Sequence, residues 1–364
     1  MGESDLGQTR LTPLPFSELH GWTGDDHAAA LEAFRRGAAA LAGHPPKQRG
    51  LGLDAAALAA IMRAAEALPE QSGTDAARAF FERRFTPTLV TPASGAGFFT
   101  GYYEPEVAGS LTPTREFAVP LYRPPPDLVE VEPGSVAGLD PSFRFARQSP
   151  GGGYGEHYDR AAVMAGALAG RGLELVYLRD GVDAFFIHVQ GAARVRLADG
   201  TTLRVSYAAK SGHAYTPIGR VLIEMGALAP GKATMPAIRG WLAAHPAEAA
   251  EVMARNRSTI YFREAPVSDP GLGPIAAAKV PLTAGRSLAV DRTLHTFHAP
   301  VWIETTLPGG APWQRLMTAQ DTGSAIVGPA RGDIFFGSGD AAGEIAGAMA
   351  APGRFVVFMP KAAP

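Results

Sequence analysis

The sequence predicts a mainly β, α+β protein in which helices come first and short strands dominate the remainder. The chain has 364 residues, more than one hydrophobic core usually holds, so two domains are expected. It contains 43 Gly and 31 Pro, which favour many turns and short strands over long helices. Apolar residues at helical spacing fill roughly the first ninety positions, before segments rich in aromatics and glycine begin.

Three helices are expected near the N-terminus. Asp25 or Asp26 is expected to cap the first, Asp54 the second and Thr74 the third, because short polar side chains accept hydrogen bonds from free amides at a helix start. A further helical interval is expected at roughly residues 217–253.

Short strands are expected in most of the remaining chain. Gly97–Val107 forms an aromatic-rich strand, and Ala184–Gln190 is predicted to be a strand next to a hairpin that turns at Asp199 and Gly200. Many short strands with glycine at the corners favour a barrel. Further strands, with one helix at Ala341–Met349, are predicted at Thr259–Arg263, Ser287–Val290, Val301–Thr306, Trp313–Gln320, Ser324–Val327, Asp333–Gly337 and Arg354–Met359.

Composition excludes several classes of function. The net charge is -2 and no long basic run occurs, so nucleic-acid binding is poorly supported. The chain has no cysteine, which excludes disulfides, thiolate metal sites, a cysteine nucleophile and a lipid-bearing Cys. The start, Met1–Leu6, lacks a basic region followed by an apolar stretch, and no apolar run is long enough to span a bilayer. Either a cytosolic protein or one without its targeting segment fits these observations.

Three aspartates, Asp291, Asp321 and Asp333, are the candidate catalytic residues. Asp321 and Asp333 are twelve positions apart, and Asp291 ends the run that starts at Gly273. Grouped, partly buried carboxylates matter because like charges and burial raise a pKa, which leaves one acid protonated near neutral pH. Such an acid can cleave either a glycosidic bond or a peptide bond.

Other chemistries find less support in the residue patterns. Asp321-Thr-Gly resembles an aspartic-protease motif, but a pepsin-like enzyme needs two such motifs and this chain has one. The aspartates lack the dense spacing of a calcium loop, and neither a His-x3-His pair nor a Gly-x-Ser-x-Gly elbow occurs. We therefore expect no metal and no triad hydrolase.

Polar and aromatic segments supply the candidate substrate-binding residues. Gly101–Pro105 contributes Tyr102, Tyr103 and Glu104, although a core strand is an alternative for at least one tyrosine. A further candidate is Gln190, predicted to share a strand face with His188, although a purely structural amide fits as well. The polar, glycine-containing segment Ser206–Arg220 contributes three more: Tyr207, Lys210 and Tyr215.

Together these segments resemble the MltA-type lytic transglycosylases of bacterial cell walls, a family with a three-aspartate domain. The resemblance runs from about residue 80 to the end of the chain and rests on several ordered motifs. They are Gly101–Pro105, Phe186–Gly191, Tyr207–Arg220, Gly273–Asp291 and the pair Asp321 and Asp333. The chain departs from the family pattern at Lys210–His213, where Asn before Gly is more usual, and at Arg255–Ser258, which replaces Asn-Pro-Ser.

The resemblance implies a double-psi β-barrel with N-terminal helices and a second, barrel-like β-domain inserted into it, with a glycan groove between them. The barrel would comprise residues 1–114 and 262–364, including a three-aspartate region at 273–360, and the insert residues 115–261. It implies cleavage of the β-1,4 bond between N-acetylmuramic acid and N-acetylglucosamine, leaving 1,6-anhydro ends. The last aspartate, Asp333, would be the acid and then the base, with Asp321 and Asp291 tuning it.

The resemblance also implies the setting of the reaction. No cofactor is expected, and the partners would be peptidoglycan glycan strands and other cell-wall enzymes, with the protein itself a monomer. The location would be the periplasm, at the outer membrane, although the lipid-bearing Cys of the family is missing here. Two alternatives stay open at this point: a non-catalytic peptidoglycan-binding barrel and an aspartic protease.

Overall fold

A computed structural model describes residues 8–69, 72–267 and 269–361 of the chain. The strands are β1 (Arg10–Pro13), β2 (Phe85–Thr91), β3 (Gly97–Glu104), β4 (Glu106–Ser110), β5 (Val119–Tyr122), β6 (Leu128–Glu130), β7 (Phe145–Gln148), β8 (Tyr154–Gly155), β9 (Glu174–Leu178), β10 (Ala192–Arg196), β11 (Thr202–Lys210), β12 (Ile260–Ala265), β13 (Ser287–Val290), β14 (Pro300–Thr306), β15 (Pro312–Asp321), β16 (Arg331–Ser338) and β17 (Ala350–Pro360). The helices are α1 (His27–Arg35), α2 (Ala55–Glu66), α3 (Thr74–Arg84), α4 (Arg160–Met164), α5 (Gly181–Gln190), α6 (Ile218–Glu224), α7 (Met235–Ala244), α8 (Pro246–Ala254) and α9 (Asp340–Ala348). The mainly β, α+β prediction is confirmed.

The chain divides into two compact units. The first combines Met1–Tyr103 with Asp269–Pro364, and the second is the segment between them, Glu104–Ser268. The division expected from the sequence differs at both edges, because it assigned residues 104–114 and 262–268 to the first domain.

Six strands of the first unit close into a barrel. Their order is β17-β14-β15-β13-β16-β3, and β3 pairs again with β17 to complete the ring. The closure is possible because β17 is long: Ala350–Gly353 pairs with β3, and Val356–Pro360 pairs with β2 on the same edge. Because β3 has a partner strand on each side, the barrel has no open edge there. The double-psi connection stays a prediction.

Two of the three N-terminal helices begin where their caps predict. The Asp26 carboxylate accepts a hydrogen bond from the amide of Ala29, and Asp54 caps α2 in the same way. The prediction for the third helix is wrong by one residue, because Gly73 is the N-cap and Thr74 is the first helical residue. The helices bury apolar side chains such as Phe34 against the barrel core.

The second unit contains a six-stranded sheet with the order β12-β11-β10-β4-β9-β5, together with a small sheet of β6, β7 and β8. Tyr122 of the edge strand β5 and Tyr261 of the edge strand β12 share one buried cluster, so the two edges lie near each other. The helices α5 to α8 pack around a separate apolar cluster that includes Phe186, Leu222 and Leu242.

One prediction in this unit is wrong: Ala184–Gln190 belongs to helix α5 and not to a strand. Asp180 caps the helix through hydrogen bonds from the amides of Val182 and Asp183, and Gly191 ends it in the left-handed conformation at a φ of 85°. A short apolar run does not distinguish a buried strand from a buried helix, and here the caps decide. The hairpin itself consists of β10 and β11.

Candidate active site

Two aspartates meet across the central strand of the barrel wall. β13 lies between β15 and β16, and its residue Ala289 is in register with Asp321 on one side and with Asp333 on the other. Residues paired across strands point to the same face of a sheet. The two carboxylates therefore stand on one face, with backbones roughly two strand spacings, about 10 Å, apart.

Strand β3 supplies a hydroxyl group to each carboxylate. Thr100 and Tyr102 share one face of the strand because side chains alternate. The Thr100 hydroxyl donates a short hydrogen bond to Oδ1 of Asp333, and the Tyr102 hydroxyl lies 3.0 Å from Oδ2 of Asp321. Between them, Gly101 is required by packing, because a Cβ there would lie 2.8 Å from the backbone of Ala346 in α9.

Burial raises the pKa of the Asp333 carboxyl above its ordinary value. The Arg331 charge and the Thr100 hydrogen bond act in the opposite direction, because both stabilise the carboxylate. Asp333 is half-buried, so part of the residue is open to solvent. The carboxyl can therefore hold a proton at higher pH than usual.

Asp321 has a more strongly hydrogen-bonded environment. Burial raises its pKa, hydrogen bonds from the amides of Thr322 and Ala277 and from Tyr102 lower it, and the charge of Asp333 raises it. The Ala277 amide lies 3.2 Å from Oδ1. Burial, followed by the charges of Asp321 and Asp333, raises the pKa of Tyr102 far above its ordinary value, so its hydroxyl stays a neutral donor.

Asp291 anchors the loop that connects β15 to β16. It is 7% exposed; its Oδ2 accepts the amide of Gly328 at 2.9 Å, and its Oδ1 accepts the amide and hydroxyl of Thr293. The predicted strand Ser324–Val327 lies in this loop, and that prediction is wrong. Gly328, with a φ of 121°, has a backbone conformation that a strand does not use.

Sequence reasoning missed three residues beside Asp333: Phe98, Thr100 and Arg331. The Arg331 guanidinium donates to Oγ1 of Thr100 at 2.6 Å and lies 5.5 Å from the centre of the Phe98 ring. Phe98 shares a strand face with Thr100 and is 45% exposed. The alternation of side chains along Gly97–Glu104 is the signal that predicts this shared face of the strand.

Two of the predicted binding residues are buried. Tyr103 is 8% exposed and packs against Gly343 of α9, where a Cβ would lie 2.7 Å from its ring. Glu104 is 1% exposed, and its carboxylate accepts hydrogen bonds from Arg194 at 2.9 Å and from Arg204 at 2.7 Å. The structure thus gives both side chains a packing or ion-pair role, and substrate binding by Tyr103 and Glu104 stays a prediction.

The remaining predicted binding residues lie in the second unit. Tyr207 on β11 is 43% exposed, while Lys210 and Tyr215 are half-buried. Gln190 is the last residue of α5, so it and His188 are about 200° apart around the helix and do not share a face as predicted. Substrate binding by these four residues remains a prediction.

The segment after β11 is anchored by buried polar side chains. The Ser211 hydroxyl accepts a hydrogen bond from the amide of Thr259 at 3.1 Å, and the side-chain Oδ1 of Asn256 accepts one from the amide of Thr216 at 3.2 Å. Gly212 has a φ of 93°, and a Cβ there would lie 2.6 Å from a backbone oxygen. The segments Lys210–His213 and Arg255–Ser258 depart from the family pattern, and these hydrogen bonds of Ser211 and Asn256 hold them in place.

Across residues 8–69, 72–267 and 269–361, no group of three or more His, Asp or Glu side chains is arranged to hold a metal ion. Among the helices in these ranges, none combines the length and apolar character needed to cross a bilayer.

A partly buried aspartate whose carboxyl has a raised pKa, beside a second carboxyl and two hydroxyl donors, is a candidate acid–base site. Two family models match the chain around this site. The MltA-specific insert domain matches residues 98–263, and the 3D domain matches residues 286–359, which include all three aspartates.

Comparisons with known proteins agree with the family models. The chain is 35% identical over 260 residues to membrane-bound lytic murein transglycosylase A of Escherichia coli K12, a match that covers 68% of this chain but only 62% of that relative's length. It is 31% identical over 288 residues to the Vibrio cholerae protein of the same name, covering 76% of this chain and 69% of the relative.

Solved structures extend the similarity to the whole fold. A membrane-bound lytic murein transglycosylase from Agrobacterium tumefaciens superposes with a TM-score of 0.89 at 44% identity, covering 96% of this chain and 97% of that one. Escherichia coli MltA with bound chitohexaose superposes with a TM-score of 0.64 at 30% identity, covering 85% and 82%. The chain belongs to the MltA family.

Proposed function

We propose that this chain is a lytic transglycosylase that cleaves the β-1,4 bond between N-acetylmuramic acid and N-acetylglucosamine in peptidoglycan. The observation that carries the proposal is Asp333, a partly buried residue whose carboxyl has a pKa that burial raises. It lies in the three-aspartate domain of a family whose relatives are named lytic murein transglycosylases. An acid of this kind is what protonation of a glycosidic oxygen requires.

The first step is general acid catalysis. Neutral Asp333 gives its proton to the glycosidic oxygen while the bond from that oxygen to the muramyl anomeric carbon breaks. The N-acetylglucosamine side leaves as an alcohol, and positive charge develops on the muramyl ring in an oxocarbenium-like transition state. Asp333 is now a carboxylate next to the Thr100 donor and the Arg331 charge, and both stabilise it.

The second step uses the same carboxylate as a base. Asp333 removes the proton from the muramyl 6-hydroxyl, whose oxygen bonds to the anomeric carbon and closes a 1,6-anhydro ring. The proton returns to Asp333, so the enzyme is restored and no water is consumed. One carboxyl suffices because the nucleophile is part of the substrate and already at high effective concentration.

Asp321 has a supporting part in this proposal. Its negative charge, when present, opposes ionisation of Asp333, because like charges on one face repel each other. Tyr102 and the amide of Ala277 hold the Asp321 carboxylate in place. Asp291 keeps the loop before Asp333 fixed. We propose that both aspartates position or tune Asp333 and that neither transfers the proton.

A digest of purified murein tests the proposal. Wild-type protein is expected to release muropeptides with 1,6-anhydro ends, identified by mass spectrometry, and Asp333→Asn is expected to release none while still sedimenting with murein. Reducing ends would indicate a hydrolase. Binding by the wild type without any release would indicate the non-catalytic wall-binding module instead. Anhydro products from folded Asp333→Asn would refute the assignment of the acid.

We also propose that the protein acts in the bacterial envelope, where its murein substrate lies. Relatives named membrane-bound support this setting. Fractionation of the source cells tests it: the protein should appear with periplasmic or outer-membrane material, and recovery with cytoplasmic markers would contradict the proposal.

A further inference from the structure

The Arg331 side chain has a fixed orientation beside Asp333. One terminal nitrogen donates to the backbone carbonyls of Gly332 and Phe98, and the other donates to the hydroxyl of Thr100 at 2.6 Å. The guanidinium also lies against the Phe98 ring, 5.5 Å from its centre. These contacts come from two strands, β16 and β3, so the charge cannot move without breaking several of them.

The hydroxyl of Thr100 has only one hydrogen to give. Arg331 has no lone pair to accept it, so the Thr100 oxygen must act as the acceptor in that contact. The hydroxyl hydrogen is then left for Oδ1 of Asp333, with which Thr100 makes its short bond. A chain of donors thus runs from Arg331 through Thr100 to a single oxygen of Asp333.

This chain has a consequence for the two oxygens of Asp333. Because Oδ1 accepts from Thr100 and the carbonyl oxygen of a neutral acid is the better acceptor, this contact favours the proton on Oδ2. When the acid ionises, the same donors remain in place and favour the carboxylate. Two other ionisable side chains interact electrostatically with Asp333: Asp321 on β15 and Tyr102 on β3. The β13 residue paired with Asp333 is Ala289, which does not ionise.

We propose that Arg331 and Thr100 form a positioning pair, which confines the transferable proton to Oδ2 of Asp333 and stabilises the carboxylate formed in the first step. This inference rests on the proposed function. It assigns neither residue a contact with the substrate. Both act through Asp333, Thr100 by direct donation and Arg331 by orienting Thr100 and by its charge.

The pH dependence of kcat/KM on murein tests the pair. Free enzyme needs Asp333 protonated, so activity falls as the pH rises through the pKa of Asp333. Thr100→Val removes the donor and Arg331→Gln removes the charge. Both changes are expected to raise the pKa of Asp333 and to move the alkaline limb upward by about one pH unit. Thr100→Ser and Arg331→Lys keep the donor and the charge, and should retain the wild-type limb.

A purely structural role would give a different result. The inference would be overturned if Thr100→Val and Arg331→Gln both lowered the rate but left the alkaline limb unchanged. It would also be overturned if Thr100→Ser shifted the alkaline limb as far as Thr100→Val does. Circular dichroism and thermal melting check the fold of each variant before the kinetics.

A second measurement needs no turnover. Carbon-13 NMR of aspartate carboxyls can follow the titration of Asp333, with the Asp333→Asn spectrum used to assign its signal. A higher pKa in Arg331→Gln than in wild type supports the pair, and equal values refute it. If wild-type protein releases no muropeptides, the proposed function fails, and this titration still decides whether the pair controls Asp333.

Discussion

The Tyr102 hydroxyl donates a hydrogen bond to the Asp321 carboxylate across two strands that are 219 residues apart in sequence. Burial and the two nearby carboxylates hold the pKa of Tyr102 far above its ordinary value, so this group does not compete as an acid. Its neighbour on the same strand face, Thr100, serves Asp333 in the same way. One strand therefore provides each carboxyl with its own neutral donor.

Tyr102→Phe should destabilise the protein at neutral pH. The hydrogen bond goes to a charged group, so its loss is expected to cost about 1 to 3 kcal/mol of unfolding free energy. The loss should become smaller as the pH falls and Asp321 takes up a proton, because a bond to a carboxylate is stronger than one to a neutral acid. Urea unfolding at several pH values measures both effects.

Tyr154→Phe is the matched control, because that tyrosine is 48% exposed on a short strand of the second unit. It should leave the unfolding free energy almost unchanged. If Tyr102→Phe were as stable as this control at every pH, the hydrogen bond to Asp321 would contribute nothing measurable.

Asp333→Asn should stabilise the protein at neutral pH while it abolishes cleavage. Asp333 has a folded pKa above the ordinary value of 3.8. Its favourable contribution is therefore complete below the unfolded pKa and is lost as the pH rises through the folded pKa. The asparagine variant has no such loss, so its advantage over wild type should grow as the pH rises above the unfolded pKa and through the folded pKa. Equal pH dependence of the two unfolding curves would contradict the raised pKa.

The local chemistry of this chain could be predicted from its sequence where short-range rules decide. Asp26 and Asp54 begin their helices as expected, because a cap depends on only a few neighbouring residues. The same rules, applied to Asp180 and Gly191, identify helix α5, whereas the apolar run between them fits a buried strand as well as a helix. The error placed Gln190 on a strand face that does not exist.

The partners of the candidate acid could not be predicted in this way. Asp333 and Thr100 are 233 residues apart, and the pairing of β16 with β3 in the barrel wall brings them together. The resemblance identified the three aspartates but gave no reason to select Thr100 or Arg331. Likewise, nothing local to Glu104 shows that two arginines from distant strands surround it.

Glu104 is expected to be essential for the stability of the second unit. Its carboxylate is buried between Arg194 and Arg204, so Glu104→Gln would remove the buried negative charge that both guanidinium groups share, while Arg194 keeps its second contact with Glu106. Removal of one partner from a buried ion pair typically costs about 3 to 5 kcal/mol. Urea unfolding should show a loss of this size.

Glu116→Gln provides the comparison for Glu104→Gln. Glu116 pairs with Arg179, but both side chains are more than half exposed, so the change should cost about 0 to 1 kcal/mol. Similar losses in the two variants would mean that burial of Glu104 does not matter.

Phe98 is expected to provide a stacking surface for a sugar ring beside Asp333. Its ring is 45% exposed on the face that carries Thr100, and the flat apolar surface suits the apolar face of a pyranose. Phe98→Ala should raise KM for murein about fivefold, the equivalent of about 1 kcal/mol, with a smaller effect on kcat. Phe98→Trp should restore binding because it keeps an aromatic face.

The kinetics of Phe98→Ala also separate stacking from an effect through Arg331, whose guanidinium lies against the same ring. Loss of stacking leaves the pKa of Asp333 unchanged, so the alkaline limb of kcat/KM should stay in place while the whole curve falls. Leu111→Ala removes a comparably exposed apolar side chain, 59% exposed in the second unit, and should not change KM. An unchanged KM in Phe98→Ala, or a shift of its alkaline limb, would rule out a simple stacking role.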